Sequence, residues 1–548
     1  MILSPASTIE RNHASGVWGR VALDALFRKT TTKHPERIAL ADEPNRASWT
    51  SGEPRSLTYA EADAEISRLA GLFKALGLTP DSVIGLQLPN TTDAVIIVLA
   101  ALRAGLIVTP LPLVWRGREI ADSLSMASAK AVITTDRLES AVAADWMRDA
   151  AVEVFGLRYV LGLGEDLPDG LVSLSAVLNE VGDEIPPADI VRGEKAADHL
   201  ATLTWTIGAS GKPLPVPRTH NHWVAAGLAT MLESRIGDGA HIVLPYSVAG
   251  LAGIGSGLVP WLLSAGTLHL HHPENVASIA RHANAVNADF VVVPGPLAKR
   301  VSDGLEGKTT LAAVWQAGAE RSNDAISGRT VVDVTLIQEF AAMATRRAGE
   351  TYAQDLPLAR REGTGGISVA ELKLDTPDGA SSSGSGAASL LVRGAMVPDA
   401  AWPGAPSADW PDAADGYLRT RLIGLGDGKT ISHLDINPFL DNSGLVGGIS
   451  LDLAALDALY KGFEDLYDAA AFLGADPVLG TRLYTAIVAK PGASFDESAF
   501  ETYLADAKVG LQALPSGYMA VDSIPRSDAG LVNRKALENR LQDLREAG

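Results

Sequence analysis

Short β-type apolar runs alternate with amphipathic helical segments along this chain, and this alternation constrains its fold most. Examples of the apolar runs are SVIGLQL, KAVITT, HIVLP and ADFVVVP, which begin at residues 82, 130, 241 and 288. Segments such as residues 59–78 carry apolar side chains at three- and four-residue spacing, which is typical of a half-buried helix. Strands that alternate with helices predict parallel sheets with helices on their faces.

The pattern changes after about residue 440 to a shorter unit that mixes helical segments with runs such as RLYTAIVAK. A chain of 548 residues is too long for a single core. We therefore predict an α/β fold of two domains. Residues 1–437 form a large domain of parallel-rich sheets with flanking helices, and residues 438–548 form a small α+β domain.

Charge and composition exclude several function classes. The formal net charge of −19 disfavours long-range attraction to nucleic acid or to anionic membranes. The chain has no cysteine, which excludes disulfides, thiolate nucleophiles and cysteine-ligated zinc. The uncharged residues 242–268 are interrupted by Pro245, Pro260 and several glycines, so they predict buried strand and helix and no membrane span. We expect a cytoplasmic protein that binds no nucleic acid.

General catalytic motifs give little indication of function in this sequence. The segment TIGASGKPLPVPRTH, residues 206–220, is rich in small residues, but the Gly-Lys step is followed by proline and does not fit a Walker loop. Histidines cluster at residues 220–222 and 269–272. No carboxylate pattern lies close to them in the sequence, so we interpret them as ordinary polar or partly buried histidines.

Six segments in a fixed order carry a more specific resemblance. They are LTYAEADAEISRLAGLFKALGL, TIGASGKPLPVPRTH, LLVRGAMVPDAAWPG, DGYLRT, DAAAFLGADPVLGTRLYTAIVAKPG and VDSIPRSDAGLVNRKAL. Together they resemble the adenylate-forming superfamily, which comprises acyl- and aryl-CoA synthetases, peptide-synthetase adenylation domains and luciferases. The resemblance covers nearly the whole chain and implies the fold of an acyl-CoA synthetase, in which the small domain, residues 438–548, is mobile.

Enzymes of this superfamily join a carboxylic acid to AMP with release of pyrophosphate and then pass the acyl group to a thiol. The resemblance therefore implies ATP with Mg²⁺ as a cofactor, and CoA or an acyl carrier protein as the acceptor. It implies a small carboxylic acid or an acyl-thioester as the ligand. A homodimer and a complex with a partner enzyme are both compatible with it.

The resemblance also assigns roles to positions in this sequence. Glu339 stands at the position of the family's catalytic, Mg²⁺-binding carboxylate. The remaining positions are Thr206, Gly208, Ser210, Gly211 and Lys212 in the phosphate loop, Gly318, Ala319 and Glu320 in the adenine-side turn, Gln338 beside AMP, Tyr246, Ser247 and Gly250 in the acyl pocket, and Gly447 and Gly448 at the thiol channel.

Four charge-bearing positions of the family are substituted. Leu214 replaces the loop lysine, Leu422 the ribose-binding aspartate and Leu531 the adenylating lysine. The hinge motif Gly-Arg-x-Lys-Asp reads PFLDN, residues 438–442. A hydrogen bond to a charged group contributes about 1.5–3 kcal/mol, so these changes together predict impaired or altered use of ATP.

Three interpretations remain open at the level of sequence. The chain is a divergent acid–thiol ligase that still uses ATP, with a cation such as Lys212, Arg218, Arg534 or Lys535 in place of a lost one. Alternatively, it binds or transfers an acid or acyl-thioester without ATP. The third interpretation is a pseudoenzyme that stabilises an active paralogue. Whether the chain is an enzyme therefore stays undecided at this level.

Overall fold

The structure is a computed structural model that describes residues 1–181, 192–208, 212–317, 325–347, 355–358, 369–375, 388–426, 429–436, 443–527 and 530–547. Its α-helices are numbered in chain order. They are α1 (Ala6–Ala14), α2 (Leu23–Lys33), α3 (Arg46–Trp49), α4 (Tyr59–Ala75), α5 (Thr92–Arg103), α6 (Gly117–Ala127), α7 (Ala143–Ala151), α8 (Leu174–Val181), α9 (His220–Ser234), α10 (Val259–Ser264), α11 (Val276–Ala285), α12 (Ala298–Gly304), α13 (Leu453–Lys461), α14 (Glu497–Asp506) and α15 (Arg534–Ala547).

The strands are numbered in the same way. They are β1 (Ile38–Asp42), β2 (Ser56–Thr58), β3 (Val83–Gln87), β4 (Ile107–Pro110), β5 (Ala131–Thr135), β6 (Arg137–Leu138), β7 (Ala141–Val142), β8 (Tyr159–Leu163), β9 (Val172–Ser173), β10 (Leu200–Ile207), β11 (Pro213–Thr219), β12 (His241–Leu244), β13 (Thr267–Leu270), β14 (Phe290–Pro294), β15 (Thr310–Trp315), β16 (Val331–Ile337), β17 (Ala341–Arg346), β18 (Leu356–Pro357), β19 (Glu371–Asp375), β20 (Ala388–Arg393), β21 (Ala413–Ala414), β22 (Tyr417–Gly426), β23 (Thr430–Ile436), β24 (Ser443–Val446), β25 (Ile449–Asp452), β26 (Leu466–Asp476), β27 (Gly480–Ala489) and β28 (Tyr518–Ala520).

Two parallel-rich sheets form most of the large domain. The first has eight strands in the order β17-β16-β15-β14-β12-β13-β1-β2, and the second has seven in the order β11-β10-β4-β3-β5-β8-β9. The inner pairs of both sheets are parallel, whereas the edge strands β2, β17 and β11 run antiparallel to their neighbours. This arrangement confirms the predicted α/β class with parallel-rich sheets and flanking helices.

The helices between the sheets explain the long apolar stretches of the sequence. In α5 every residue except Asp93 is buried. The neighbouring α4 begins at a capping box in which Thr58 and Glu61 bond to each other's backbone N–H groups. Residues 242–268, predicted as buried strand and helix, contain β12, a π-helix at Leu251–Leu258, α10 and β13. Within the described residues, no helix is both long enough and apolar enough to cross a bilayer.

A third sheet, with strand order β18-β23-β22-β20-β19 and β21 paired to β22, follows the two parallel-rich sheets in the chain. The last part of the chain contains the hairpin β24-β25 and the sheet β26-β27-β28, on which α13, α14 and α15 pack. The last part touches the large domain, since the Leu511 N–H donates to the Val114 carbonyl at 3.0 Å. The predicted boundary between residues 437 and 438 lies outside the described residues.

The large domain can be probed separately, because all 10 tryptophans precede residue 438 and tryptophan fluorescence therefore reports that domain alone. Leu99 in α5 is 0% exposed. We expect Leu99→Ala to lower the free energy of unfolding by about 2–5 kcal/mol, because it leaves a cavity between packed helices. Leu232, on α9, is 66% exposed, and Leu232→Ala should change it by less than about 0.5 kcal/mol. Equal effects in urea titrations would contradict this assignment of the core.

Candidate functional site

The phosphate-loop segment forms the end of an antiparallel hairpin between β10 and β11. The Gly208 N–H donates to the Lys212 carbonyl at 2.8 Å and closes the hairpin. Thr206 is buried in β10, and Lys212 is exposed. Ser210 and Gly211 lie outside the described residues, as do Gly318, Ala319, Glu320 and the PFLDN hinge segment.

Strand β11 contains prolines at residues 213, 215 and 217 because it is an edge strand. Proline lacks an N–H, and alternate N–H groups of an edge strand face away from the neighbouring strand. Leu214 lies between two of these prolines, opposite Thr206, and is 1% exposed. The residue that replaces the loop lysine is therefore packed in the protein interior and is not directed at a ligand.

Arg218, at the other end of β11, is fully buried. Its guanidinium donates to the Met396 carbonyl at 2.7 Å and to the Glu339 carbonyl, and it lies 4.9 Å from the ring of Trp223. Burial lowers the pKa of Arg218 to about 10. This arginine is a structural cation, bound to backbone oxygens on two other segments.

Glu339 follows β16 and is enclosed by the phosphate-loop strands and the acyl-pocket segment. Its Oε1 accepts a hydrogen bond from the Leu251 N–H at 3.1 Å. Gly250 has φ +60, and a Cβ there would lie 2.6 Å from this oxygen, so only glycine fits. Burial raises the pKa of Glu339, and the charge of Arg218 opposes that effect only in part. The negative charge of Glu339 is thus already partly compensated by a protein cation.

The position that the resemblance assigns to the ribose carboxylate lies in the core. Leu422 on β22 is 0% exposed and pairs with Ile436 of β23. The preceding Arg421 donates its N–H to Gln338 Oε1 at 3.1 Å, and Gln338 itself has φ +49, which is an unfavourable conformation for a residue with a side chain. Burial lowers the pKa of Arg421 although Asp409 and Asp412 lie near its charge.

An acidic residue lies against the first glycine of the phosphate loop. Asp409 is buried, and its Cγ is 3.1 Å from the place that a Cβ on Gly208 would take. A carboxylate at this place repels the phosphate oxygens that such a loop binds. The sequence contains no pattern that marks Asp409, because 201 residues separate it from Gly208 and only the fold brings them together.

The acyl-pocket residues follow β12. Tyr246 is half-buried, and its enclosed surroundings raise the pKa of its hydroxyl. Ser247 accepts a hydrogen bond from the Ala249 N–H at 2.6 Å, and Gly253 packs on the Ser247 carbonyl so closely that a Cβ would meet it at 1.8 Å. The π-helix that follows is a form often found at functional sites. Gly250 thus lies beside Glu339, and Tyr246 and Ser247 precede it in the same segment.

The thiol-channel glycines and the position of the adenylating lysine lie in different environments. Gly447 and Gly448, with φ +56 and +83, form the two-residue turn of the β24-β25 hairpin. A Cβ on Gly448 would lie 2.8 Å from Nε2 of Gln316, which follows β15 of the large domain. Leu531 is instead 50% exposed on the small domain.

The cations near the substituted positions have other partners. Arg534 forms an ion pair with Asp457 at 2.8 Å, and Lys535 forms one with Glu538 at 2.7 Å. With the buried Arg218, these contacts account for three of the four replacement cations considered from sequence; Lys212 is exposed. Arg218, Arg534 and Lys535 therefore each have a protein partner, with which a ligand would have to compete.

Comparison with known proteins gives a consistent result. The family model "AMP-binding enzyme" matches residues 27–354. Salicyl-AMP ligase / salicyl-S-ArCP synthetase of Mycobacterium tuberculosis is 24% identical, with 98% of this chain and 94% of that protein covered. The 2-hydroxy-7-methoxy-5-methyl-1-naphthoate–CoA ligase of Streptomyces carzinostaticus is also 24% identical, over 97% of this chain and 95% of that protein.

Solved structures show the same fold. Apo MbtA of Mycobacterium smegmatis superposes with a TM-score of 0.62 at 19% identity, covering 98% of each chain. Amide bond synthetase McbA of Marinactinospora thermotolerans has a TM-score of 0.69 at 17% identity, covering 94% of this chain and 99% of its own. These likenesses establish the architecture over nearly the full length of the chain.

Glu339 allows a test of the site's electrostatics. Because its pKa in the fold is raised above the ordinary 4.5, the native state holds a proton that the unfolded chain has lost. Wild type should therefore lose stability relative to Glu339→Gln as pH rises from 4.5 through the raised pKa, with no further change above it. Tryptophan-monitored urea unfolding across this range measures the difference. The exposed Glu53→Gln is the control, and a difference independent of pH would contradict the raised pKa.

Proposed function

Because the chain belongs to the AMP-binding enzyme family, we propose that it is a divergent acyl- or aryl-acid ligase in which ATP-dependent adenylation is impaired. The observation that carries the proposal is the state of the nucleotide side of the site. A buried leucine, Leu422, takes the place of the ribose carboxylate, and the Asp409 carboxylate packs on Gly208. The position of the ribose carboxylate is thus part of the core, and an acidic side chain packs against the first glycine of the phosphate loop.

The proposed ligand is an aromatic or polycyclic carboxylic acid or its thioester. Two relatives carry names that specify salicyl and naphthoate substrates, and a third, from Mycobacterium tuberculosis, is named for a bicyclic propanoyl group. In this chain the acyl-pocket segment is apolar and rich in small residues, with Tyr246 as its aromatic member. Such a lining suits a flat apolar group.

ATP–pyrophosphate exchange tests the impairment directly. We expect exchange with salicylate, naphthoate and bicyclic propanoate acids to be slower than that of the related salicyl-AMP ligase by more than about 10²–10³-fold, because the loss of a single transition-state contact has this effect. ATP titrated in a calorimeter should show correspondingly weak binding. Exchange rates comparable to those of the relative would refute the proposal.

Variants that restore a family residue distinguish between the possible causes of impaired adenylation. Leu531 is half-exposed, so Leu531→Lys should leave the thermal midpoint unchanged, whereas Leu422→Asp would place a carboxylate in a fully buried position. We expect Leu531→Lys alone to leave exchange near background, because the ribose and polyphosphate contacts are still missing. A large rise would instead attribute the impairment to this one lysine.

A second candidate function is binding or transfer of an acyl-thioester without ATP. The observation that favours it is the docked hairpin, in which Gly448 packs on Gln316 of the large domain while Leu531 is half-exposed. The two glycines that the resemblance assigns to the thiol channel are thus present, and Gly448 contacts the large domain. In this interpretation the acyl pocket receives its ligand already activated as a thioester.

Salicyl-CoA binding in the absence of ATP tests this second function. We expect calorimetry to detect binding and Gly448→Ala to weaken it about tenfold, because the new Cβ pushes the Gln316 amide away from the turn. Gly492 is a matched control: its φ is also +83, but nothing lies within 4 Å of a Cβ there. The two variants should differ in affinity, and equal affinities would argue against a thiol site at this turn.

A further inference from the structure

A second polar cluster lies away from the nucleotide side of the site, at the ends of β1 and β13. Glu43, His271 and His282 are all buried, and one ligating atom of each lies within 4.8 Å of the others. His271 Nδ1 is 2.7 Å from Glu43 Oε2 and 3.1 Å from His282 Nδ1. Three groups that carry lone pairs therefore converge on one point in the protein interior.

The hydrogen bonds around His271 are compatible with a lone pair on Nδ1. Ser278 Oγ lies 2.7 Å from the Asn275 carbonyl, to which it can donate its single proton. His271 Nε2 lies 3.2 Å from the same Ser278 oxygen and can donate to it in that arrangement. The Nδ1 lone pair of neutral His271 then faces Glu43 and His282, where a cation can bind between the three groups.

The other groups are held in place by outer contacts. Glu43 Oε1 accepts a hydrogen bond from the His272 N–H at 2.9 Å, which leaves Oε2 directed at His271. The His282 ring lies in α11 and packs edge-on against His269, with ring centroids 5.9 Å apart. Ligand groups that are fixed by such second contacts are typical of metal sites, where the outer bonds set the tautomer and orientation.

We propose that Glu43, His271 and His282 bind one divalent transition-metal ion of the Zn²⁺ type. Two imidazoles and a carboxylate suit this ion, and tetrahedral ligands at about 2.0–2.1 Å from the metal lie about 3.3 Å apart. The separations of 2.7 and 3.1 Å between these atoms are slightly shorter, so a small outward movement of the side chains would admit the ion. Water supplies the fourth ligand.

The site would join parts of the chain that are far apart in sequence. Glu43 follows β1, His271 follows the adjacent parallel strand β13, and His282 lies on α11. In the described residues this histidine-containing triad is the group whose geometry suits a metal. The ion would fasten the N-terminal segment of the large domain to the helix that follows β13, and this role does not depend on the proposed ligase activity.

Zinc binding by the untagged full-length chain tests the proposal, since an affinity tag of histidines would itself bind metal. After removal of metal with a chelator, we expect calorimetry with Zn²⁺ alone to show one ion per chain, and elemental analysis to give the same stoichiometry. Zn²⁺ should also raise the thermal midpoint followed by tryptophan fluorescence, which reports the large domain. Absence of stoichiometric binding would overturn the proposal and leave a proton as the shared cation.

Substitutions at and around the proposed ligands test where the ion binds. His282→Gln should weaken Zn²⁺ binding by more than about 100-fold, and Ser278→Ala, which keeps all three ligands, by about 10–100-fold. The control is His272→Gln, the same change at the neighbour of a ligand, whose ring bonds Glu139 outside the triad. It should bind Zn²⁺ like wild type. If His282→Gln fails to fold in chelator, Ser278→Ala carries the test, and wild-type affinity in Ser278→Ala or equal losses in His272→Gln would refute the site.

Discussion

The candidate site depends on one buried cation, the guanidinium of Arg218. Removing such a charge from water costs several kcal/mol, and here the cost is offset by carbonyl acceptors at Glu339 and Met396 and by the nearby Glu339 carboxylate. These contacts tie β11 to the segment after β16 and to the chain that follows β20. The strand after the phosphate loop is therefore held by a charge that faces the protein and not a ligand.

Two of the leucines at positions where the family binds the nucleotide, Leu214 and Leu422, are buried in the core. Leu214 lies on the strand that Arg218 anchors, and Leu422 completes the packing between β22 and β23. Full burial of a leucine contributes about 1.5–3 kcal/mol, so each substitution exchanges a ligand contact for core stability. A charged residue returned to either position would be buried without a partner. Leu214 and Leu422 thus lie in the core, whereas Leu531 is half-exposed on the small domain.

The sequence predicts local elements well and distant contacts poorly. Strands such as β3 and β5 could be predicted because β-branched runs fill buried positions, and Thr58 and Glu61 mark the start of α4. The position of Pro215 is explained by the edge position of β11, which only the sheet order reveals. The carboxylate beside His271 was missed because Glu43 lies 228 residues earlier, and only the sheet order makes β1 and β13 neighbours.

One edge of the eight-stranded sheet carries Glu339, the acyl-pocket segment and two of the proposed metal ligands. Glu339 follows β16, Tyr246 follows β12, His271 follows β13 and Glu43 follows β1, so each lies where a parallel strand ends, as ligand sites in such sheets do. Asn90 Nδ2 donates to the Leu244 carbonyl at 2.6 Å and to the His271 carbonyl at 3.2 Å. Fixing the end of β13 therefore also fixes the end of β12, from which the acyl-pocket segment departs. The acyl-pocket segment and the histidine cluster therefore depend on the same two strand ends. The rigidity of these strand ends sets how precisely Tyr246 can be placed against a ligand.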